Sequence, residues 1–277
     1  MSQPATYDVG VLSEDRPSLY TRTFASMLLR LSRPVTPEDY SAGDQHWDQR
    51  NPLETLERAF PDLQQRIQGK RVIDVGCGAG YQAIALATSG AETIFGFDIQ
   101  ADQIAKAQTR AKALKLDHRV QFGATLECSS ESHFDVAISL DSMEHIDRPG
   151  DMLSSMAQAL RPGGTALISF GPPWFAPYGA HCHFFTKVPW VHLIFPESAV
   201  MHARSFYRRD GAKRYEDVTG GLARLSVGKF ERLLAQQKDF EVESMAFDVI
   251  KGLPLIGSMP GVRELVINNV AAVLRRV

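Results

Sequence analysis

The stretch DSMEHI brings Asp141, Glu144 and His145 close together in the chain, and YGAHCHFF places His181 and His183 two positions apart. Carboxylate oxygens and imidazole nitrogens are metal ligands, and two histidines with a carboxylate and open positions form a recognised site for a divalent or ferric ion. On a helical turn Asp141 would share a face with Glu144 and His145, because offsets of three and four align. In an extended segment His181 and His183 would point the same way. The same residues offer other readings. His145 or His181 could act without metal as a general base toward an alcohol or phenol, or the segments could serve packing alone.

A second constellation is VIDVGCGAG, residues 72–80, with Gly76, Gly78 and Gly80 alternating after Asp74. A dinucleotide fingerprint needs glycines at positions one, three and six, and the sixth position here is Tyr81. No Lys-Ser/Thr follows, which excludes a phosphate-binding loop of the P-loop kind. Asp98, in FGFDIQ, follows the glycines by about 20 residues, the spacing at which an acid meets ribose hydroxyls. Both oxygens of an ionised carboxylate accept hydrogen bonds, which suits a vicinal diol. The competing reading of Asp98 is a helix N-cap, a task that Asp102 could also perform.

These residues need a frame. RVIDVG, TIFGFDI, RVQFGA, FDVAISL and, after an RPGG turn, TALISF read as strands. Between them lie helical stretches YQAIALATSG, ADQIAKAQTRAKALKL and PGDMLSSMAQAL. Strands alternating with helices predict an α/β fold with a mostly parallel sheet covered on both faces. FASMLLRLSRP (24–34) reads as a helix stopped by Pro34, and PLETLERAFPDLQQRI (52–67) has apolar residues at helical spacing. LSVGKFERLLAQQ reads as a later helix, FEVESMAFDVI as a late strand, and ELVINNVAAVLRRV as either a last strand or a helix. The expected division is a helical cap segment at 1–69, a ligand-binding core at 70–170, a substrate-cap insertion at 171–225 and the end of the core sheet at 226–277.

Composition narrows the classes. The 277 residues are 44% hydrophobic with net charge −2, an ordinary globular balance without the basic stripe that nucleic-acid binding usually needs. The local cluster Arg204, Arg208, Arg209, Lys213, Arg214 reads as a solvated helix face or a site for an anionic partner. MSQPATYDVG lacks the layout of a signal peptide, and no apolar run approaches the roughly 18 residues of a membrane helix. Three cysteines, Cys77, Cys128 and Cys182, argue against a disulfide framework. A cytoplasmic protein with no membrane or nucleic-acid partner is expected, with a homo-oligomer left open. GPPWFAPYGAH resembles a lid hinged at Gly171 and Gly179. Trp47, Trp174, Phe175, Tyr178 and Trp190 are candidates for an apolar pocket, though aromatics more often belong to the core.

Taken in order, VIDVGCGAG, GFDI, FDVAISLDSMEHI and LRPGGTALIS resemble the class I S-adenosylmethionine-dependent methyltransferases over residues 70–170. The resemblance implies a Rossmann-like sheet of seven strands with a reversed last strand, for which VINNVAAVLRRV is the candidate. It implies S-adenosyl-L-methionine as cofactor. Gly76, Gly78 and Gly80 would let backbone touch its methionine and ribose parts, and Asp74 would help hold the methionine ammonium. Asp98 would grip the ribose, Ile99 would lie beside the adenine, and Leu140 would line the cofactor. Relatives usually carry an acid after the third strand to meet the adenine amine. Here Ala124 stands in that place, leaving adenine contact to backbone at Gly123–Thr125. The Asp141, Glu144, His145 segment is similar to those of two metal-using branches, the ubiquinone-type O-methyltransferases and those acting on the terminal ribose of small RNAs. His181 or His183 would match the later histidine of the RNA branch. The expectation is methyl transfer to an oxygen of a small-molecule acceptor, with a metal chelating a hydroxy acid, carboxylate, catechol or diol. Its rivals are a metal-free N-, C- or O-methyltransferase of natural products and a cofactor-binding protein without transfer activity.

Overall fold

The computed structural model describes residues 17–32, 52–125, 134–218, 222 and 224–277. Trp47, Pro34 and Cys128 lie outside them. Seven strands form one sheet: β1 (Arg71–Val75), β2 (Thr93–Phe97), β3 (Val120–Gly123), β4 (Phe134–Leu140), β5 (Leu160–Phe170), β6 (Phe240–Val249) and β7 (Ile267–Arg276), in the order β3-β2-β1-β4-β5-β7-β6. The first five are mutually parallel, and β7 runs antiparallel to both β5 and β6. VINNVAAVLRRV is thus the reversed strand expected of it.

Alternation along the strands divides two cores. Val72, Ile94, Val120 and Val136 face the helices α2 (Glu54–Ala59), α3 (Leu63–Ile67), α4 (Tyr81–Thr88) and α5 (Ala101–Ala113). Ile73, Ala137, Ile168 and Phe170 face α6 (Pro149–Ala159) and α9 (Val227–Gln236). Neighbouring residues point to opposite faces because the strand repeat is two. A third core belongs to the cap, where α1 (Leu19–Leu31) packs Ala25 and Leu28 with residues from α7 (Val191–Ile194), α8 (Glu197–Ser205) and the turns before them. Of the final connection, α10 (Pro254–Gly257) precedes β7.

Two helices depart from the sequence expectation. α1 starts earlier than residue 24, because the Ser18 hydroxyl accepts from the Thr21 N–H and caps the first turn. The stretch 52–67 forms two short helices rather than one. Pro61 lacks an N–H and disfavours helical backbone at Phe60, so the chain breaks there. The arginine cluster is not a uniform solvated face. Arg204 is buried and bonded through both terminal nitrogens to Asp210 at 2.7 and 2.6 Å, Arg208 lies over the Phe184 ring, and Arg214 pairs with Glu216. No helix among the described residues is long and apolar enough to cross a membrane.

Candidate active site at the carboxyl edge of the sheet

The first turn of the site follows β1. The N–H groups of Gly76 and Cys77 both donate to the Phe97 carbonyl, at 2.8 and 3.1 Å, which ties the turn to the end of β2. The glycines within it serve different purposes. A Cβ on Gly80 would strike the Phe122 ring and Ala107, so this residue lets α4 close against α5 and β3. A Cβ on Gly78 would meet nothing within 4 Å. Gly78 borders open space on the ligand side of the sheet, and its φ of +49° keeps that space free of a side chain.

Asp98 stands across this space. It is buried, its Oδ2 accepts the Gly78 N–H at 2.9 Å, and its Oδ1 accepts the Gln100 N–H at 2.8 Å. It does not cap α5, whose N-cap residue is Gln100 without a side-chain cap bond. Ile99 beside it is 80% exposed, a large apolar side chain open to a planar ligand. The Gly123 carbonyl accepts the Asp98 N–H, so Asp98, Ile99, Gly123 and the exposed Ala124 meet where β2 and β3 end. Asp74 is buried at the end of β1 and accepts from Gln82 Nε2 at 2.8 Å. Leu140, half-buried, ends β4. Burial raises the thiols of Cys77 and Cys182, the latter to about 12, so neither is a ready nucleophile.

The second turn follows β4. Ser142 Oγ, whose single proton is shared between the Leu140 carbonyl at 2.9 Å and the Gly76 carbonyl at 3.3 Å, brings the two turns together. A short 3₁₀ helix, Met143–His145, then buries Met143 and Glu144. Gly171, just past β5, donates its N–H to Glu144 Oε1 at 3.2 Å. Glu144 Oε2 and His181 Nε2 are both buried and have no hydrogen-bond partner. The His145 and His181 rings lie edge to face, 4.9 Å apart. Glu144, His145 and His181 each offer a ligand atom, all within 4.8 Å of one another.

Asp141 and His183 are not part of this cluster. Asp141 does not share a helical face with Glu144, because it precedes the 3₁₀ turn in left-handed backbone at φ +46° with its N–H on the Ser169 carbonyl. His181 and His183 do not lie in an extended segment. His181 has φ +51°, and its N–H closes a turn onto the Tyr178 carbonyl. The His183 ring is 6.4 Å from that of His181 and packs beside Tyr178 instead.

Burial sets the charge states. Glu144 is pushed up to about 8, first by loss of solvent and then by the Asp141 carboxylate. His181 is pushed down to about 3, first by loss of solvent and then by His145 and His183. Both groups therefore resist carrying charge. A cation between them would reverse this for Glu144 and would use neutral imidazole, the form in which histidine ligates metal. An oxygen, two nitrogens and two unsatisfied buried atoms fit such an ion. An unpartnered His181 of such low basicity is poorly suited to be the general base itself.

The turns before α7 are tied down rather than free. Trp174 takes its N–H to the Leu225 carbonyl, its own carbonyl accepts from His192 Nε2, and its ring packs on His192 and Tyr215. Trp190 donates its N–H to the Pro177 carbonyl. Phe175 and Tyr178 remain exposed. Gln82 and Ser142 have no marked role in the sequence, and Gly171 is marked there only as a hinge, not as the donor to Glu144. Each acts through one contact with a residue distant in the chain, which leaves no local pattern.

A family model described as a methyltransferase domain matches residues 45–194, more than half of the chain. Among curated relatives, the ubiquinone biosynthesis O-methyltransferase of Methylococcus capsulatus is 31% identical over 131 residues, 44% of this chain and 55% of that protein. The 27-O-demethylrifamycin SV methyltransferase of Amycolatopsis mediterranei is 32% identical over 133 residues, 44% of this chain and 48% of that protein. The chain thus spans about half the length of the curated relatives it matches. The crystal structure of the Synechocystis magnesium protoporphyrin IX methyltransferase with bound S-adenosylhomocysteine superposes with a TM-score of 0.51 at 16% identity, over 91% of this chain and 93% of that one, a likeness of fold. With its sheet order, its glycine turn and this match, the chain belongs to the methyltransferase family and carries the Rossmann-like class I fold.

Proposed function

We propose that this protein moves the methyl group of S-adenosylmethionine to an oxygen of a small-molecule acceptor, and that Glu144, His145 and His181 hold a divalent or ferric ion beside that oxygen. The observation that carries the reading is the pair of buried, unpartnered atoms, Glu144 Oε2 and His181 Nε2, one bonded turn away from the Gly76–Gly80 cradle.

The sulfonium donor brings its own leaving group, a neutral thioether, and a bound ion would acidify an acceptor hydroxyl. The protein's part is chiefly alignment and exclusion of water. Asp98 holds the ribose diol, and Gly78 leaves room for it. Asp74 faces the ammonium end, Ile99 covers the adenine, and Leu140 lines the space between. Ser142 fixes the spacing of the two turns, and the Gly171 N–H holds Glu144 Oε1, leaving Oε2 as the ligand atom. Residues 171–218 form the acceptor side of the site, with Phe175 and Tyr178 exposed on it. The ubiquinone and rifamycin methyltransferases among the relatives are named for O-methylation or for acceptors bearing oxygen, which supports oxygen as the atom methylated.

The test is mass spectrometry of a metabolite pool incubated with isotope-labelled S-adenosylmethionine, with and without chelator. Labelled O-methyl product that disappears with chelator and in Glu144→Ala supports the reading. Product that survives both removes the ion. No product from any pool, with cofactor still bound, leaves a binding protein without transfer activity.

A further inference from the structure

Gln82 lies in the first turn of α4, after the glycine turn, and is half-buried. Its Nε2 is 2.8 Å from Oδ1 of Asp74, which is only 1% exposed. An ionised carboxylate only accepts, so the amide must present its NH₂ group to Asp74 and turn its carbonyl oxygen away from it. We infer that Gln82 is the positioning residue for the amino-acid end of the donor: it holds and orients the Asp74 carboxylate at the end of β1. This rests on the cofactor reading given above.

The physical argument is one of burial. A carboxylate so far from solvent loses its charge unless polar donors replace the water. An uncharged Asp74 would no longer attract an ammonium group. The amide of Gln82 supplies such a donor without adding charge. A lysine or arginine in its place would neutralise the carboxylate and repel the same ammonium. Asp98, by contrast, is held by backbone N–H groups alone and faces the ribose end. The cradle therefore recognises its ligand at two separately supported points, and Gln82 serves only one of them.

That separation supplies the test. S-adenosylhomocysteine carries the amino-acid end, and 5′-methylthioadenosine lacks it while keeping the ribose and adenine. Calorimetric titration of the full chain should show Gln82→Ala binding S-adenosylhomocysteine roughly tenfold more weakly, as expected for a lost bond to a charged group. Binding of 5′-methylthioadenosine should be unchanged. Gln82→Met, which keeps length and helix propensity without a donor, should behave the same way and serves if the alanine variant fails to fold. Equal weakening of both ligands, or of neither, overturns the inference and leaves the cofactor reading in place. A wild-type protein that binds neither ligand overturns the cofactor reading itself.

Discussion

The Gly78 N–H and the Asp98 carboxylate are joined at 2.9 Å across the ends of two parallel strands. With Gln100 holding the other oxygen, the carboxylate is oriented by backbone before any ligand arrives.

Removal of that carboxylate should therefore damage binding more than folding. Asp98→Ala is expected to weaken S-adenosylhomocysteine about 100-fold, because two hydroxyl bonds to a charge are lost. Asp98→Asn keeps the shape but turns a donor or a single acceptor toward two N–H groups, so it should bind nearly as poorly. Titration calorimetry measures both.

The glycines should separate by phenotype. Gly80→Ala drives a methyl group into Phe122 and Ala107 at positive φ, and should cost about 2–3 kcal/mol of stability. Gly78→Ala carries only the backbone strain, about 1 kcal/mol, and places its methyl where the ligand belongs. It should melt nearly normally and lose cofactor binding. Denaturant unfolding beside ligand titration distinguishes the two.

The acid cluster should respond to pH in a defined direction. Glu144 is raised to about 8 in the folded chain, so the native state keeps a proton that the unfolded chain releases above its ordinary range. Without metal, the Glu144 contribution is lost as pH rises from about 4.5 to 8; His181 opposes it below about 6.5, so net stability should fall between about 6.5 and 8. His181 is lowered to about 3, so its contribution is lost as pH falls below about 6.5. Glu144→Gln should flatten the alkaline limb and leave the acid limb. Melting temperatures across pH in chelating buffer read this directly. Zinc or manganese should reverse the alkaline slope in the wild type only.

The Arg204–Asp210 pair should stabilise the cap. The guanidinium beside Asp210 draws its carboxyl down to about 2, so the stability it contributes is present above about 4 and lost as pH falls toward 2. Asp210→Asn leaves Arg204 buried with a neutral partner and should cost on the order of 2 kcal/mol at pH 7. Urea unfolding at pH 7 and at pH 3 should show the difference shrinking in acid.

Much of this was legible in the sequence, for identifiable reasons. The five parallel strands are legible as short apolar runs between helical periods, whereas the reversed last strand is legible only through the family resemblance. Asp98 was legible because its distance from the glycines is set by one strand-helix-strand unit. The Glu144, His145 and His181 cluster was only half legible. Glu144 and His145 were marked by proximity in sequence. The exclusion of Asp141 and His183 depends on left-handed backbone at Asp141 and His181, a choice that side-chain type does not reveal. Gln82 was illegible because a glutamine in the first turn of a helix has no distinctive pattern, and its partner Asp74 had already been given another purpose.

The seam between α1 and α8 carries a consequence for biosynthesis. Thr21 Oγ1 meets Ser198 Oγ across 177 positions of chain, and Leu28 is wholly enclosed by that junction. A lone helix of 13 residues is marginal in water. During translation at about 5–20 residues per second, its partner emerges only after some ten seconds or more. Throughout that interval the nascent amino-terminal region presents Leu28 and Ala25 to the surroundings. Synthesis in a chaperone-depleted extract should therefore reduce soluble yield, and shielding of the emerging segment by a ribosome-bound holdase should restore it.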